Sequence, residues 1–168
     1  DKYTTVNWAD HVDLKTGRPV GLNGGNYSKS PKVVWPSSVG GHNWQPMAFS
    51  PQTDLVYIPV MKAPMKIALA PSLTFRPGSG EVGANVELPP FPGTQAAGPK
   101  PVLESMLEAW NPVTGKAAWV APRGALWGAG GALATAGGLV FEGGTDGLFE
   151  VRDATSGRLL KSIDTGTA

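Results

Sequence analysis

The chain has 168 residues, 14 basic and 13 acidic side chains, a net charge of +1 and no cysteine. The basic residues are scattered, which argues against a nucleic-acid partner, and no apolar run approaches the roughly 18 residues of a transmembrane helix. Because the chain has no cysteine, disulfides, thiolate metal sites and cysteine nucleophiles are excluded within these residues.

Short apolar runs alternate with the 23 glycines and 16 prolines, a texture typical of many short strands joined by tight turns. One turn pattern recurs: an Asp or Asn accepts a hydrogen bond from the backbone two residues on, and a glycine supplies a positive φ before a strand restarts. It appears in DLKTGRPV (Asp13–Val20), NPVTGKAAW (Asn111–Trp119) and DATSGRLLK (Asp153–Lys161). SPQTDLVYI (Ser50–Ile58) is a weaker copy with Asp54 in the glycine position.

The segments between these turns complete the predicted fold. Residues 71–101, rich in Pro and Gly, are predicted as a long loop insertion, either functional or a solvated excursion. Pro101–Trp110 is the best helical candidate, but at least its second half is predicted as strand because it leads into a turn. Ala132–Asp153 predicts three strands with a tight Asp146-Gly147 turn, both of whose central positions can take a positive φ. Asn111 and Asp153 lie 42 positions apart, about one blade of a β-propeller.

Few residues offer catalytic or metal chemistry. His11 and His42 are far apart and no paired-ligand spacing exists. The carboxylates of DHVD (Asp10–Asp13) overlap a predicted turn, so a structural role is favoured over a metal role. GAGGALATAGG (Gly128–Gly138) lacks the Lys of a phosphate-binding loop and is predicted as turns and small-residue strands.

Six tryptophans are the remaining signal. Trp119, four residues after Gly115, is predicted to pack between blades, and Trp8, Trp35 and Trp110 are predicted to be structural. Trp44 and Trp127 adjoin glycines, where a backbone can approach a planar ligand and an indole can stack on it.

Three segments carry a family resemblance: YTTVNWADHVDLKTGRP, GGHNWQPMAFSPQTDLVYIP and LWGAGGALATAGGLVFEGGTDGLFEVRDATSGRLL. With the recurrent TGK..W motif, they resemble PQQ-dependent (quinoprotein) alcohol dehydrogenases over nearly the whole chain, most weakly across residues 62–103. The resemblance implies an all-β fold in which residues 1–168 are part of one β-propeller domain, a partial arc of roughly three to four four-stranded blades out of eight.

The resemblance also implies a function: an enzyme that oxidises an alcohol with PQQ and passes electrons to a cytochrome or quinone. Asn43 matches an Asn that hydrogen-bonds the cofactor, Trp44 stands beside it, and Trp127 matches a Trp near the cofactor edge. The catalytic Asp and the Ca²⁺ ligands are expected upstream of Asp1, so no catalytic or metal residue is assigned here. A periplasmic location follows from the family, and haem c in the full protein stays open.

Two departures and two alternatives accompany this interpretation. WGAGG spaces Trp127 and its glycines differently from the family, and Lys161 stands where a docking Trp is expected. A non-catalytic propeller of the same repeat type, acting as an assembly or interaction scaffold, is one alternative. A small β-domain that binds carbohydrate through exposed tryptophans is the other. The remaining blades of the same propeller are the expected structural partner of this arc.

Overall fold

The computed structural model describes residues 2–21, 25–73, 77–78, 83–88, 103–124 and 129–167. Within these residues the fold is all-β, in four antiparallel sheets, which confirms the predicted fold class. The strands are β1 (His11–Val12), β2 (Pro19–Val20), β3 (Lys32–Val34), β4 (Ala48–Ser50), β5 (Leu55–Lys62), β6 (Met65–Leu69), β7 (Ala84–Glu87), β8 (Glu104–Asn111), β9 (Lys116–Gly124), β10 (Ala129–Ala134), β11 (Leu139–Gly144), β12 (Leu148–Asp153) and β13 (Leu159–Asp164).

Two of the sheets have the four strands of a propeller blade. Blade I has the order β4-β5-β8-β9, and blade II has the order β10-β11-β12-β13. The connection between β5 and β8 leaves blade I and contributes β6 and β7, which form an accessory sheet of order β3-β6-β7 with the earlier strand β3. Strands β1 and β2 form a separate hairpin. Consecutive strands are neighbours in blade II, as expected for short turns, whereas blade I carries its insertion between β5 and β8.

The predicted turns form as expected. In all three, the Oδ1 atom of the Asp or Asn accepts backbone N–H groups two and three residues on, at 2.7 to 3.1 Å. Gly17, Gly115 and Gly157 take φ values between 65° and 71°. Asp54 occupies the glycine position of the weaker copy with φ 56°. At the Asp146-Gly147 turn the prediction was partly wrong: Gly147 has φ 79°, but Asp146 does not take a positive φ.

The main core lies between the two blades. Alternate residues of each strand face opposite sides of a sheet, so one face of blade I packs on one face of blade II. The other face of blade I buries a second cluster, which explains the nearly continuous apolar run of β5. The core between the blades comprises Leu55, Tyr57, Leu107, Ala109 and Ala121 from blade I with Ala132, Val140 and Ala154 from blade II and its turn.

Trp119 packs at this junction, as predicted. Its indole Nε1 donates to the carbonyl of Ala154 at 3.0 Å, and the centroid of its ring lies 5.7 Å from the centroid of the Tyr57 ring. A Cβ atom on Gly157 would lie 2.6 Å from two ring carbons of Trp119, so only a glycine fits below the indole. The turn motif and the tryptophan therefore form one unit that joins neighbouring blades.

The structure also tests two predictions about the connection between β5 and β8. Strand β8 begins at Glu104, so the helical option for Pro101–Trp110 was wrong for the described residues. Strand β7 lies inside the predicted 71–101 insertion and pairs with β6, while most of that segment falls outside the described residues. The insertion and the assignment of residues 1–168 to one domain stay predictions. None of the described residues forms a helix able to cross a membrane.

Candidate functional site

The turn that bears Asn43 and Trp44 lies at one edge of the blades, beside the start of β10. We define the upper edge as one side of the two blades. It is the side where strands β4 and β10 begin and where strands β5 and β9 end. The N–H of Ala132 near the start of β10 donates to the carbonyl of Pro46 just before β4, so this edge lies on the same side of both blades. Asn43 and Trp44 precede β4, and the segment holding Trp127 leads into β10. Trp127 itself lies outside the described residues.

The turn before β4 is held tightly against β5. A Cβ on Gly41 would overlap the side chain of Thr4, and a Cβ on Gly40, which has φ 79°, would lie 2.8 Å from the carbonyl oxygen of His42. The backbone N–H of Met61 donates to the carbonyl of Gly41 at 2.8 Å. Both glycines are thus required by the close approach of the backbone to its neighbours.

His42 links this turn to strand β5 through a hydrogen bond. Its Nδ1 atom lies 2.9 Å from the carbonyl oxygen of Pro59. A carbonyl only accepts, so Nδ1 carries the proton in this contact. The prediction that His42 positions the chain agrees with this geometry.

Asn43 and Trp44 point away from the core. The Nδ2 atom of Asn43 donates to the carbonyl of Val39 at 2.9 Å, and the residue is exposed. One N–H and the Oδ1 atom of this amide remain for a ligand, since no described residue accepts or donates to them in the contacts observed. Trp44 is 78% exposed, so its indole face is open to a planar molecule.

The start of β10 packs directly against the turn that bears Asn43 and Trp44. The N–H of Ala132 donates to the carbonyl of Pro46 at 2.9 Å. A Cβ on Gly131 would overlap the Pro46 ring, and a Cβ on Gly130 would lie 2.8 Å from the carbonyl oxygen of Gly143. Gly130 and Gly131 therefore allow close packing of strands, as the sequence predicted, and they let β10 contact the turn that bears Asn43 and Trp44.

Metal-binding geometry is limited in the part of the chain that the structure describes. No group of three or more His, Cys, Asp or Glu side chains there is arranged to hold a metal ion. Asp13 of the DHVD segment instead binds the backbone of its own turn, and those hydrogen bonds hold its pKa below the ordinary value.

Comparison with known proteins identifies the arc. The chain matches no protein-family model. It is 40% identical over 165 residues to quinohemoprotein alcohol dehydrogenase ADH IIB of Pseudomonas putida, covering 95% of this chain and 22% of that protein. The crystal structure of quinohemoprotein alcohol dehydrogenase from Comamonas testosteroni superposes with a TM-score of 0.83 at 31% identity, covering 100% of this chain and 25% of that one.

The chain is homologous to one segment of quinoprotein alcohol dehydrogenases. It also resembles a europium-containing methanol dehydrogenase, with a TM-score of 0.78 and 30% identity over 96% of this chain and 27% of that one. The chain spans about a quarter of the length of the relatives it matches. Blades I and II are accordingly part of a quinoprotein propeller.

Sequence reasoning missed one feature of this quinoprotein segment, a cluster of charges buried between the blades near the upper edge. Arg123 at the end of β9 faces Glu142 on β11 and Glu150 on β12. Burial raises the pKa of Glu142 to about 7, against the opposing effect of Arg123. The sequence did contain a signal for this cluster, because two otherwise apolar strands, LVFEGG and LFEVRD, each carry a glutamate. These residues, Glu142 and Glu150, are direct cross-strand partners.

A second acidic group lies on the opposite face of blade I. Glu108 on β8 is buried, and burial raises its pKa while Lys62 opposes the shift. The pKa of the Tyr3 hydroxyl is raised by burial and then by the charge of Glu108. These groups lie on the face that packs against the N-terminal segment, away from Asn43 and Trp44 on the upper edge.

Proposed function

We propose that the protein containing this chain is a PQQ-dependent alcohol dehydrogenase that oxidises an alcohol and passes the electrons to a cytochrome or quinone. The observation that carries the proposal is the similarity of the whole chain to quinohemoprotein alcohol dehydrogenases, in an arc whose upper edge brings the Asn43–Trp44 turn next to the start of β10. A scaffold without catalysis gains no comparable support.

The residues of the upper edge fit a planar quinone. Asn43 offers one N–H and one carbonyl oxygen, which suit the ring oxygens or carboxylates of PQQ. Trp44 offers an exposed indole face for the ring system, and we propose Trp127 as a further wall. When bound, PQQ supplies the electron-accepting chemistry. This chain orients the cofactor and excludes water from one side of it.

The metal, haem and location belong to the same proposal. The family resemblance favours Ca²⁺ beside the cofactor, and the name of the europium-containing relative supports a metal ion there. Since the described residues provide no ligand set, its ligands are proposed elsewhere in the full-length protein. The quinohemoprotein relatives support haem c in the full protein, and a periplasmic location is proposed by family.

Titration of the full-length protein with PQQ in the presence of Ca²⁺, followed by tryptophan fluorescence, tests the site. Asn43→Ala removes one hydrogen bond, worth about 0.5–1.5 kcal/mol, so PQQ is expected to bind roughly 2- to 10-fold more weakly. Asn85→Ala, on the exposed edge strand β7, is the matched control and should bind as the wild type does. Unchanged affinity in Asn43→Ala would remove Asn43 from the cofactor site.

Activity separates the enzyme from the scaffold. We expect the PQQ-loaded full-length protein to reduce an artificial electron acceptor when a primary alcohol is added. Binding of PQQ without alcohol-dependent reduction across a panel of alcohols would favour the scaffold. Absence of PQQ binding by the wild type would refute the proposal as a whole.

A further inference from the structure

The buried charges between the blades form a connected network, which we call the junction cluster: Arg123, Glu142, Asp146, Glu150 and Arg152. Arg123 leaves β9 of blade I and enters blade II, and its side chain is only 1% exposed. One of its Nη atoms contacts Glu150 Oε1 at 2.5 Å. The other lies 3.2 Å from Asp146 Oδ1 and 3.3 Å from the carbonyl of Leu148. One side chain thus holds both the β12 strand and the β11–β12 turn.

The same network continues towards the opposite edge of blade II. The Oε2 atom of Glu150 accepts from Arg152 at 2.6 and 3.1 Å. Arg152 in turn donates to the carbonyl of Gly157 at 3.0 Å, in the turn below Trp119. Both carboxylate oxygens of Glu150, all three side-chain nitrogens of Arg152 and both Nη atoms of Arg123 therefore have partners.

Glu142 is the member without a hydrogen-bond partner. Its side chain is 1% exposed and neither carboxylate oxygen forms a hydrogen bond. Its Oε2 lies 3.7 Å from Arg123 Nε, which is also unpaired, and its direct cross-strand partner is the like-charged Glu150. With three carboxylates and two guanidinium groups, the fully ionised cluster carries one surplus negative charge in a buried place, which is unfavourable.

No other described charge in the neighbouring elements compensates this surplus. Asp164 on β13 pairs across from Leu148 and accepts from the N–H of Gly166. On blade I, the hydroxyl of Tyr57 is engaged with Thr53 and Ala154. The described residues of β10 are Ala, Gly and Leu, and Glu108 lies on the far face of β8.

We propose that Glu142 is a proton-binding site inside the blade junction, and that this proton holds Arg123 on Asp146 and Glu150. With the proton bound, Glu142 is neutral and Arg123 stays paired in the geometry observed. When the proton leaves, the ionised Glu142 attracts the free Nε of Arg123 and competes with Asp146. The β11–β12 turn at the upper edge then loses its tether. The proposal is independent of the proposed cofactor chemistry.

The pH range of the switch follows from burial. Burial raises the pKa of Glu142 from 4.5 to about 7, while Arg123 lowers it and Glu150 raises it. In an opened junction the carboxyl group regains water and its ordinary pKa. Protonation therefore favours the closed junction, and this stabilisation is lost as pH rises towards the raised value. The opening constant should increase roughly tenfold per pH unit between about 5 and 7 and then level off.

Amide hydrogen exchange of the full-length protein between pH 5.5 and 8.5 tests this, after correction for intrinsic exchange. The N–H groups of Gly147 and Thr165, which donate to the carbonyls of Gly144 and Gly147, report on the turn. We expect their opening constants to increase about 30-fold over this range in the wild type. Opening that does not change with pH in the wild type would overturn the proposal without any variant.

Two variants identify the titrating group. Glu142→Gln keeps the shape and stays neutral, so the pH dependence of opening should disappear, with protection at pH 8.5 like that of the wild type at pH 5.5. Glu87→Gln, at an exposed ion pair with Lys66 on the accessory sheet, should behave as the wild type. A Glu142→Gln protein that retains the wild-type pH dependence would refute the assignment to Glu142.

Discussion

The carbonyl of Ala154 accepts two side-chain donors, and this makes the blade junction non-additive to mutation. Tyr57 donates its O–H and Trp119 its Nε1–H, each at 3.0 Å. Ala154 and Tyr57 are almost completely buried, so water cannot replace a lost donor. We predict that Tyr57→Phe and Trp119→Phe destabilise modestly alone and disproportionately together.

The expected magnitudes follow from the partners that remain. Tyr57→Phe removes hydrogen bonds to Ala154 and Thr53, and we expect a loss of about 1–1.5 kcal/mol in the free energy of unfolding. Trp119→Phe removes one bond and some ring area, for about 1–2 kcal/mol. Each single variant leaves the carbonyl with one donor. The double variant leaves the buried carbonyl of Ala154 without a side-chain donor. Its loss of unfolding free energy should therefore exceed the sum of the two single losses by roughly 1 kcal/mol or more.

Urea unfolding of the full-length protein, followed by circular dichroism, measures the cycle. Phenylalanine is used in both places because the two rings, 5.7 Å apart, then keep most of their contact. An unchanged dependence of the unfolding free energy on urea is required for the comparison. Strict additivity of the two substitutions would refute the shared-acceptor explanation, and it would mean that the carbonyl finds another partner.

Two further predictions concern the recurrent turn. Gly157→Ala forces a Cβ to 2.6 Å from the Trp119 ring at φ 71°, whereas Gly17→Ala meets a similar φ of 68° but open space. Calorimetry should show about 1 kcal/mol lost for Gly17→Ala from backbone strain and clearly more for Gly157→Ala; equal losses would contradict the contact. Hydrogen bonds from Ser156 lower the pKa of Asp153 from 3.8, so its stabilising effect is present at neutral pH and lost on acidification. The difference in melting temperature between wild type and Asp153→Ala should shrink from pH 7 to pH 3.5.

Local patterns in the sequence were sufficient to predict the turns and strands. Each turn is defined without reference to the rest of the chain. An Asp or Asn side-chain oxygen accepts from the backbone N–H two residues on, and a following glycine tolerates the positive φ. Even Asp54 adopts the conformation that its place in the pattern demands. The same logic identified Trp119 as a packing residue, because its distance from the turn is set along one strand.

For the candidate site, sequence resemblance selected Asn43 and Trp44, and the structure adds that both are exposed beside the start of β10. Their binding of PQQ stays a prediction, as does any role of Trp127. Sequence alone did not foresee that β7 pairs with β6, since an isolated four-residue strand has no local signal that names its partner.

The sequence by itself determined the all-β fold class, the repeated turns and the family, because these depend on neighbours along the chain and on motif order. Only the tertiary structure decided that Arg123 of one blade lies against Glu142 and Glu150 of the next. The spacing of those residues in sequence carries no sign of contact. Their proximity, and the raised pKa of Glu142, arise from blade packing that removes water from all three side chains at once.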